Sequence, residues 1–159
     1  MALDLYIRPY KPEEDEPQFV ALNYQTFWDS IPEEEKIPET DFCAIHAELL
    51  KRYLSPDPNR SMISVAACSN ERYLGHCWIG FQSDFFTQKV HPWVFDLSVR
   101  PEYRKQGIGK FLMADCKHRC RLMGFTSIGL QVLNHNSGAI GFYEDFGFKL
   151  KARSMILHL

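Results

Sequence analysis

Residues 99–110 read Val99-Arg100-Pro101-Glu102-Tyr103-Arg104-Lys105-Gln106-Gly107-Ile108-Gly109-Lys110. A strand-like run, Trp93 to Val99, precedes the turn, and an amphipathic run, Gly107 to Met123, follows it. The segment is therefore a strand-to-helix connection. Its two glycines let the main chain come close to a ligand. The first N–H groups of a helix lack intrahelical acceptors and sit at its positive end, which suits phosphate oxygens. Arg104, Lys105 and Lys110 add positive charge at the same place. A pyrophosphate is a natural occupant of such a turn; the same residues also read as a plain tight turn before an amphipathic helix. Two other phosphate motifs fail. There is no G-x-x-x-x-G-K-[ST] run, and Leu112 stands where G-x-G-x-x-G needs its third glycine.

Outward from this turn, alternation and breakers place the remaining elements. Leu3 to Arg8 reads as a strand, and Pro12 with Glu13 to Glu16 opens a helix with the stripe Phe19, Val20, Leu22, Phe27 and Trp28. Thr40 or Asp41 is placed to cap a second helix, whose face is Phe42, Ile45, Leu49, Leu50 and Leu54. Ser61 to Cys68 and Arg72 to Gln82 form a hairpin about Ser69-Asn70-Glu71. Downstream, Gly124 closes the helix, Thr126 to Leu133 is a strand, Asn136 to Phe146 is a helix ending at Gly147, and Phe148 to Leu159 is a last strand. Hairpins mixed with crossovers predict an α+β (mixed α/β) sheet with helices on its faces.

The 159 residues suit one domain, 1–159, without a linker or repeat. Apolar types make up 45% and charged types 24%, which excludes disordered, collagenous and low-complexity classes. No apolar run approaches the ~18 residues of a membrane span, and Met1-Ala2-Leu3-Asp4 lacks a signal-peptide pattern. A soluble, cytoplasmic protein is expected, with no membrane partner. The net charge of −2 argues against nucleic acid as a partner. Charge is nonetheless polarised. Residues 11–50 carry eleven acids against Lys11 and Lys36, a balance of −9, and residues 100–124 carry seven bases against Glu102 and Asp115, a balance of +5. Such a chain can hold an anionic cofactor at one end and draw a cationic substrate to the other; the acids equally suit solvated helix starts. Five cysteines without disulfide-like spacing read as reduced thiols. Cys116 and Cys120 make a poor zinc site, so no metal is expected.

Arg104-Lys105-Gln106-Gly107-Ile108-Gly109 resembles the R/Q-x-x-G-x-G/A motif of the GNAT superfamily of N-acetyltransferases. The resemblance continues in order through Leu130-Gln131-Val132, Asn136-Ser137-Gly138-Ala139 and Phe142-Tyr143-Glu144-Asp145-Phe146-Gly147-Phe148, and Asp96-Leu97-Ser98-Val99 looks like the preceding strand. It covers residues 93–148; residues 1–60 match only in element order. The resemblance implies the acyl-CoA N-acyltransferase fold: a splayed, mostly antiparallel sheet flanked by helices, with acetyl-coenzyme A (acetyl-CoA) in the splay. The implied cofactor-binding set is Leu97, Ser98 and Val99 on the strand. In the turn it comprises Arg104, Lys105, Gln106, Gly107, Ile108, Gly109 and Lys110, and near the thioester Asn136, Ala139 and Tyr143.

The implied reaction is attack of a primary amine on the thioester through a tetrahedral intermediate. The attacking amine must be neutral, and a main-chain N–H near Val99 can stabilise the oxyanion. Tyr143 is the family-matched donor to the leaving thiolate, because a phenol of ordinary pKa ~10 keeps its proton near neutrality. Asp96, the sole acid between Asp84 and Glu102, is the candidate base, or else a structural hydrogen-bond acceptor. Gln131 stands where some relatives carry a glutamate, and cannot act as a base. His135 is a second candidate base or a loop residue; His76 and His91 are site or packing groups. Tyr24, Phe27, Trp28, Phe85, Phe86 and Trp93 are core, or walls of an acceptor cleft. The acceptor read first is a small-molecule amine. The alternatives are a protein or peptide amino terminus or lysine, or a non-catalytic acyl-CoA sensor. Family habit also allows a homodimer through sheet edges or terminal strands.

Overall fold

The computed structural model describes residues 4–159. Met1, Ala2 and Leu3, the last of which was expected to begin the first strand, lie outside the described residues. The elements are β1 (Leu5–Pro9), α1 (Pro12–Ser30), α2 (Glu39–Tyr53), β2 (Ser61–Cys68), β3 (Arg72–Ser83), β4 (Val90–Val99), α3 (Ile108–Leu122), β5 (Gly129–Leu130) and α4 (Ser137–Phe146). The strands lie in sequence order in one sheet. Antiparallel pairing joins β1 through β4, and β5 runs parallel to β4. This is the mixed α+β sheet with flanking helices that the chain pattern predicts.

Alternation along the strands gives the sheet two apolar faces. Met62, Leu74, Cys77, Ile79 and Val94 meet Ile108, Leu112, Met113 and Cys116 of α3 on one face. Ile63, Val65, Tyr73 and Trp78 meet Phe19 and Leu22 of α1 on the other. A bulge in β4 sets which side chains reach each face. Trp78 pairs with Asp96 and Ile79 with Val94, so Phe95 is the extra residue. Val94 and Leu97 therefore belong to the α3 side, while Phe95 and Asp96, adjacent in sequence, both turn toward α1.

Four expectations are corrected. The strand expected over 126–133 shrinks to Gly129–Leu130, paired only with Trp93 and Val94. The Trp93 indole lies where a side chain at position 129 would stand, 2.8 Å from an ideal Cβ, so the strands meet closely here and diverge beyond. The strand expected over 148–159 is irregular, and Leu150, Met155, Ile156, Leu157 and Leu159 are exposed. Alternation without a neighbouring ladder does not make a strand, and the short β5 offers none. Neither Thr40 nor Asp41 caps α2, which starts at Glu39 behind Pro38 without a side-chain cap. Its inner face carries His46 rather than Ile45, which is 55% exposed.

Candidate active site

The divergence of β4 from β5 leaves one edge of β4 open. Arg100 N–H donates to Leu74 O at 2.9 Å, which fixes the hydrogen-bonding parity between β3 and β4. Two residues back, Ser98 pairs with His76 in the same sense, so the main-chain groups of Leu97 and Val99 point away from β3. The Arg104 Nε–H donating to Val99 O at 2.9 Å confirms that direction. An extended ligand can therefore pair with Leu97 and Val99 as a neighbouring strand would.

The open edge leads through a 3-10 turn, Pro101–Tyr103, into the start of α3. Gly107 is the N-cap at φ +82°, and a Cβ there would meet nothing within 4 Å, so the space above it is free. Phe111 N–H to Gly107 O is the first bond of the helix, leaving the N–H groups of Ile108, Gly109 and Lys110 without intrahelical acceptors. Lys105 takes the left-handed conformation at φ 61° and is exposed with Gln106 and Lys110. The Ile108 side chain is locked in the core, so only its main chain can face a ligand. These groups fit a pyrophosphate: bare N–H donors, open space and surrounding cations.

Helix α4 closes the other wall of the splay. Asn136 Oδ1 accepts the N–H of Ala139 at 3.1 Å, so these two matched residues serve each other as the helix cap. Phe142 lies against the Gly109 position of α3. Tyr143 packs between Phe142 and Phe148. Burial raises its phenol well above the usual range, with Cys77 and Asp96 adding to the effect, so it stays protonated. Gln131 and His135 are exposed, and His91 bonds Ser127 at 2.8 Å, at the far end of β4 from Leu97 and Val99.

On the α1 face lies a buried polar network. Asp96 Oδ2 is 2.6 Å from His76 Nε2 and accepts from Asn23 Nδ2 at 2.6 Å. His76 Nδ1 is 2.5 Å from the Tyr73 hydroxyl, and Asn23 Oδ1 is 2.7 Å from His46 Nε2. Ser98 Oγ lies 2.6 Å from Asp96 Oδ1 and 2.8 Å from Thr26 Oγ1. Thr26 is half-buried, so this hydroxyl pair is where the network approaches solvent. Burial lowers the His46 imidazole; attraction to Asp96 opposes this and is the smaller effect. Asn23, Thr26 and His46 are the residues that sequence reasoning missed. A signal existed: residues 19, 22, 23 and 26 form one helical stripe, and two of its four members are polar.

Beside Phe95 are two cavities. One of about 370 Å³ lies between Arg52 and Tyr53 at the end of α2, Arg60, the end of β3 and Phe95. A smaller one, about 200 Å³, is walled by Phe27, Leu49, Tyr53, Trp78, Gln82 and Phe95. Of the six aromatics considered for an acceptor cleft, Phe27 is found on a cavity wall. Tyr24 and Trp28 pack on Phe42, Trp93 covers Gly129, and Phe85 and Phe86 are exposed on the β3–β4 loop. Among the described residues, no group of three or more His, Cys, Asp or Glu could hold a metal ion. No helix among them is long and apolar enough to cross a membrane.

The sequence model of the acetyltransferase (GNAT) family matches residues 8–148. The chain is 26% identical over 156 residues to mycothiol acetyltransferase of Rhodococcus jostii (strain RHA1), covering 92% of this chain and 46% of that protein. It is 33% identical over 55 residues to the ribosomal protein bS18-alanine N-acetyltransferase of Escherichia coli (strain K12), covering 35% of this chain and 37% of that one. The chain thus spans less than half the length of the mycothiol enzyme. Among solved structures, a Pyrococcus furiosus protein assigned as an acetyl transferase superposes with TM-score 0.82 at 23% identity, covering 98% of this chain and 99% of that one. An aminoglycoside acetyltransferase from an uncultured soil metagenomic sample, in complex with sisomicin, superposes with TM-score 0.68 at 19% identity, covering 98% and 95%. At these identities the superpositions establish the fold.

Proposed function

Because the chain belongs to the GNAT family of acetyltransferases, we propose that residues 1–159 act as one N-acetyltransferase domain moving the acetyl group of acetyl-CoA to the primary amine of a small molecule. GNAT enzymes are acyltransferases that use acetyl-CoA as co-substrate, which supplies an activated thioester. The observation that carries the reading is the continuity of the open β4 edge with the bare start of α3. In this reading Leu97 and Val99 pair with the pantetheine arm, and Arg104 gives up its bond to the Val99 carbonyl. The N–H groups of Gly107, Ile108, Gly109 and Lys110 hold the pyrophosphate, with Lys105, Gln106 and Lys110 around it. Asn136 and Ala139 start the helix that presents Tyr143.

In the transfer an N–C bond forms as the C–S bond breaks; nitrogen gives up a proton and sulfur gains one. Tyr143 supplies the proton at sulfur, for which its raised pKa keeps it loaded. Asp96 does not touch the cleft, and its oxygens are occupied by His76, Asn23 and Ser98. It takes the nitrogen's proton through the hydroxyls of Thr26 and Ser98, which join it to the half-buried side of α1.

The test is acetyl-CoA consumption against amino acids, polyamines, aminoglycosides and peptides, with binding measured by calorimetry. Transfer to a small amine supports the reading. Transfer confined to peptides would replace it with the protein-acetylating alternative, and tight binding without product would favour an acyl-CoA sensor.

A further inference from the structure

The acids of residues 11–50 predict an attraction for cationic substrates, but the cavity beside Phe95 has the opposite sign. Its wall carries Arg52 and Arg60 and no carboxylate. Among the described residues neither guanidinium enters an ion pair, although the chain as a whole has a net charge of −2. Glu33, Glu34 and Glu35 are exposed in the α1–α2 connection, and none of the acids of 11–50 lines either cavity. The rest of the wall mixes the rings of Tyr53 and Phe95 with the polar residues Gln82 and Ser83; the Phe81 ring stacks on Phe125 on the other face of the sheet. Phe95 is the bulged residue of β4, two residues before Leu97, or about 7 Å along a strand. Gln82 and Ser83 of the wall pair with His91 and Val90 at the start of β4, so Phe95 is the side of the cavity nearest the open edge at Leu97 and Val99.

Resting on the transferase reading above, we infer that the acceptor carries a carboxylate as well as its amine. Arg52 and Arg60 hold the carboxylate, and Tyr53 and Phe95 take an apolar body. Guanidinium groups match a carboxylate's two oxygens in a planar fork; Arg60 and Arg52 are both exposed at the wall, the latter with its guanidinium over the Tyr53 ring at 5.3 Å, and neither holds a carboxylate of the protein. An aromatic amino acid is the small molecule of this description. A peptide amino terminus is not, because its nearest backbone carboxyl is consumed in an amide.

The full chain and its R52Q, R60Q and doubly substituted variants are titrated by calorimetry with N-acetyl-L-phenylalanine and with its carboxamide. The wild type should bind the carboxylate at least tenfold more tightly than the carboxamide. The double variant should lose that margin while binding the carboxamide as before. Equal affinities in the wild type, binding of neither probe, or a margin that survives both substitutions would overturn the inference. Acetyl transfer to L-phenylalanine and to phenethylamine is followed separately by thiol release. An intact binding margin without any transfer would defeat the transferase reading and leave the anionic subsite standing.

Discussion

Asp96 Oδ2 lies 2.6 Å from His76 Nε2, with the two side chains 2% and 0% exposed. Tyr73, Asn23 and Ser98 complete the shell around the pair, so every polar atom of the carboxylate has a partner. A buried pair of this kind is weak evidence of stabilisation while intact, but removing one member leaves the others without partners in low dielectric.

Asp96→Ala should therefore lower unfolding free energy by about 3 kcal/mol or more in urea titrations. Asp96→Asn keeps the shape and most of the stability, yet removes the proton acceptor. Its rate should fall by about 10²-fold or more, with acetyl-CoA affinity within twofold of the wild type. A wild-type rate in Asp96→Asn would leave Asp96 with a purely structural part.

Tyr143 packs against Phe142 and Phe148, with its phenol raised by burial. Tyr143→Phe retains that packing and removes the donor. The expected outcome is a kcat reduced by about 10²-fold or more with acetyl-CoA affinity within twofold of the wild type. The raised phenol also means that no alkaline loss of rate from this residue should appear at or below its ordinary pKa of ~10. An undiminished kcat in Tyr143→Phe removes Tyr143 from the chemistry.

The two glycines of the α3 turn should respond with opposite signs in stability. Gly107 has a positive φ, so alanine there strains the backbone by about 1 kcal/mol without touching any neighbour. At Gly109 a new Cβ would make ordinary contact with Phe142 at 3.5 Å in a helical backbone, so alanine should stabilise by up to about 1 kcal/mol. A bulky side chain is another matter: Gly109→Trp should fold yet lose acetyl-CoA binding. Calorimetry that finds wild-type affinity in Gly109→Trp means that the pyrophosphate is held elsewhere.

What the chain pattern reveals is what local physics fixes. The hairpin of β2 and β3, the α3 turn and the Gly147 stop all follow from alternation and special backbone geometry in short windows. The Asn23–Asp96 bond spans 73 positions, and no window that short contains it. The side to which Asp96 points depends on the bulge at Phe95, which exists only once β3 and β4 are paired. The same dependence explains the last strand: the alternation of Phe148 to Leu159 is real, but a strand needs a partner edge, and β5 is two residues long. His46 shows the limit of reading apolar faces, since Ile45 and His46 compete for one helical face and the polar residue wins by bonding Asn23.

His46 also sets a pH dependence of stability. Its imidazole is held below the ordinary value near 6.5 by burial among Tyr24, Phe27, Phe42 and Asn23, with the Asp96 charge opposing weakly. A lowered value means that the folded chain binds fewer protons at this site than the unfolded one. The contribution is thus full above the unfolded value and is lost as pH falls through 6.5 toward the folded value. Asp15 behaves likewise but lower. Its carboxylate is depressed below 3.8 by Arg8 and the Lys11 N–H, against the cost of burial, so its share is lost only in stronger acid. Between pH 7.5 and 5 the two are separable. Urea unfolding of the wild type and of His46→Gln, at pH 7.5, 6.5 and 5.5, should show the wild type losing stability that the variant does not lose. A stability difference between the two that stays constant across that range would mean that His46 is not held neutral by the fold.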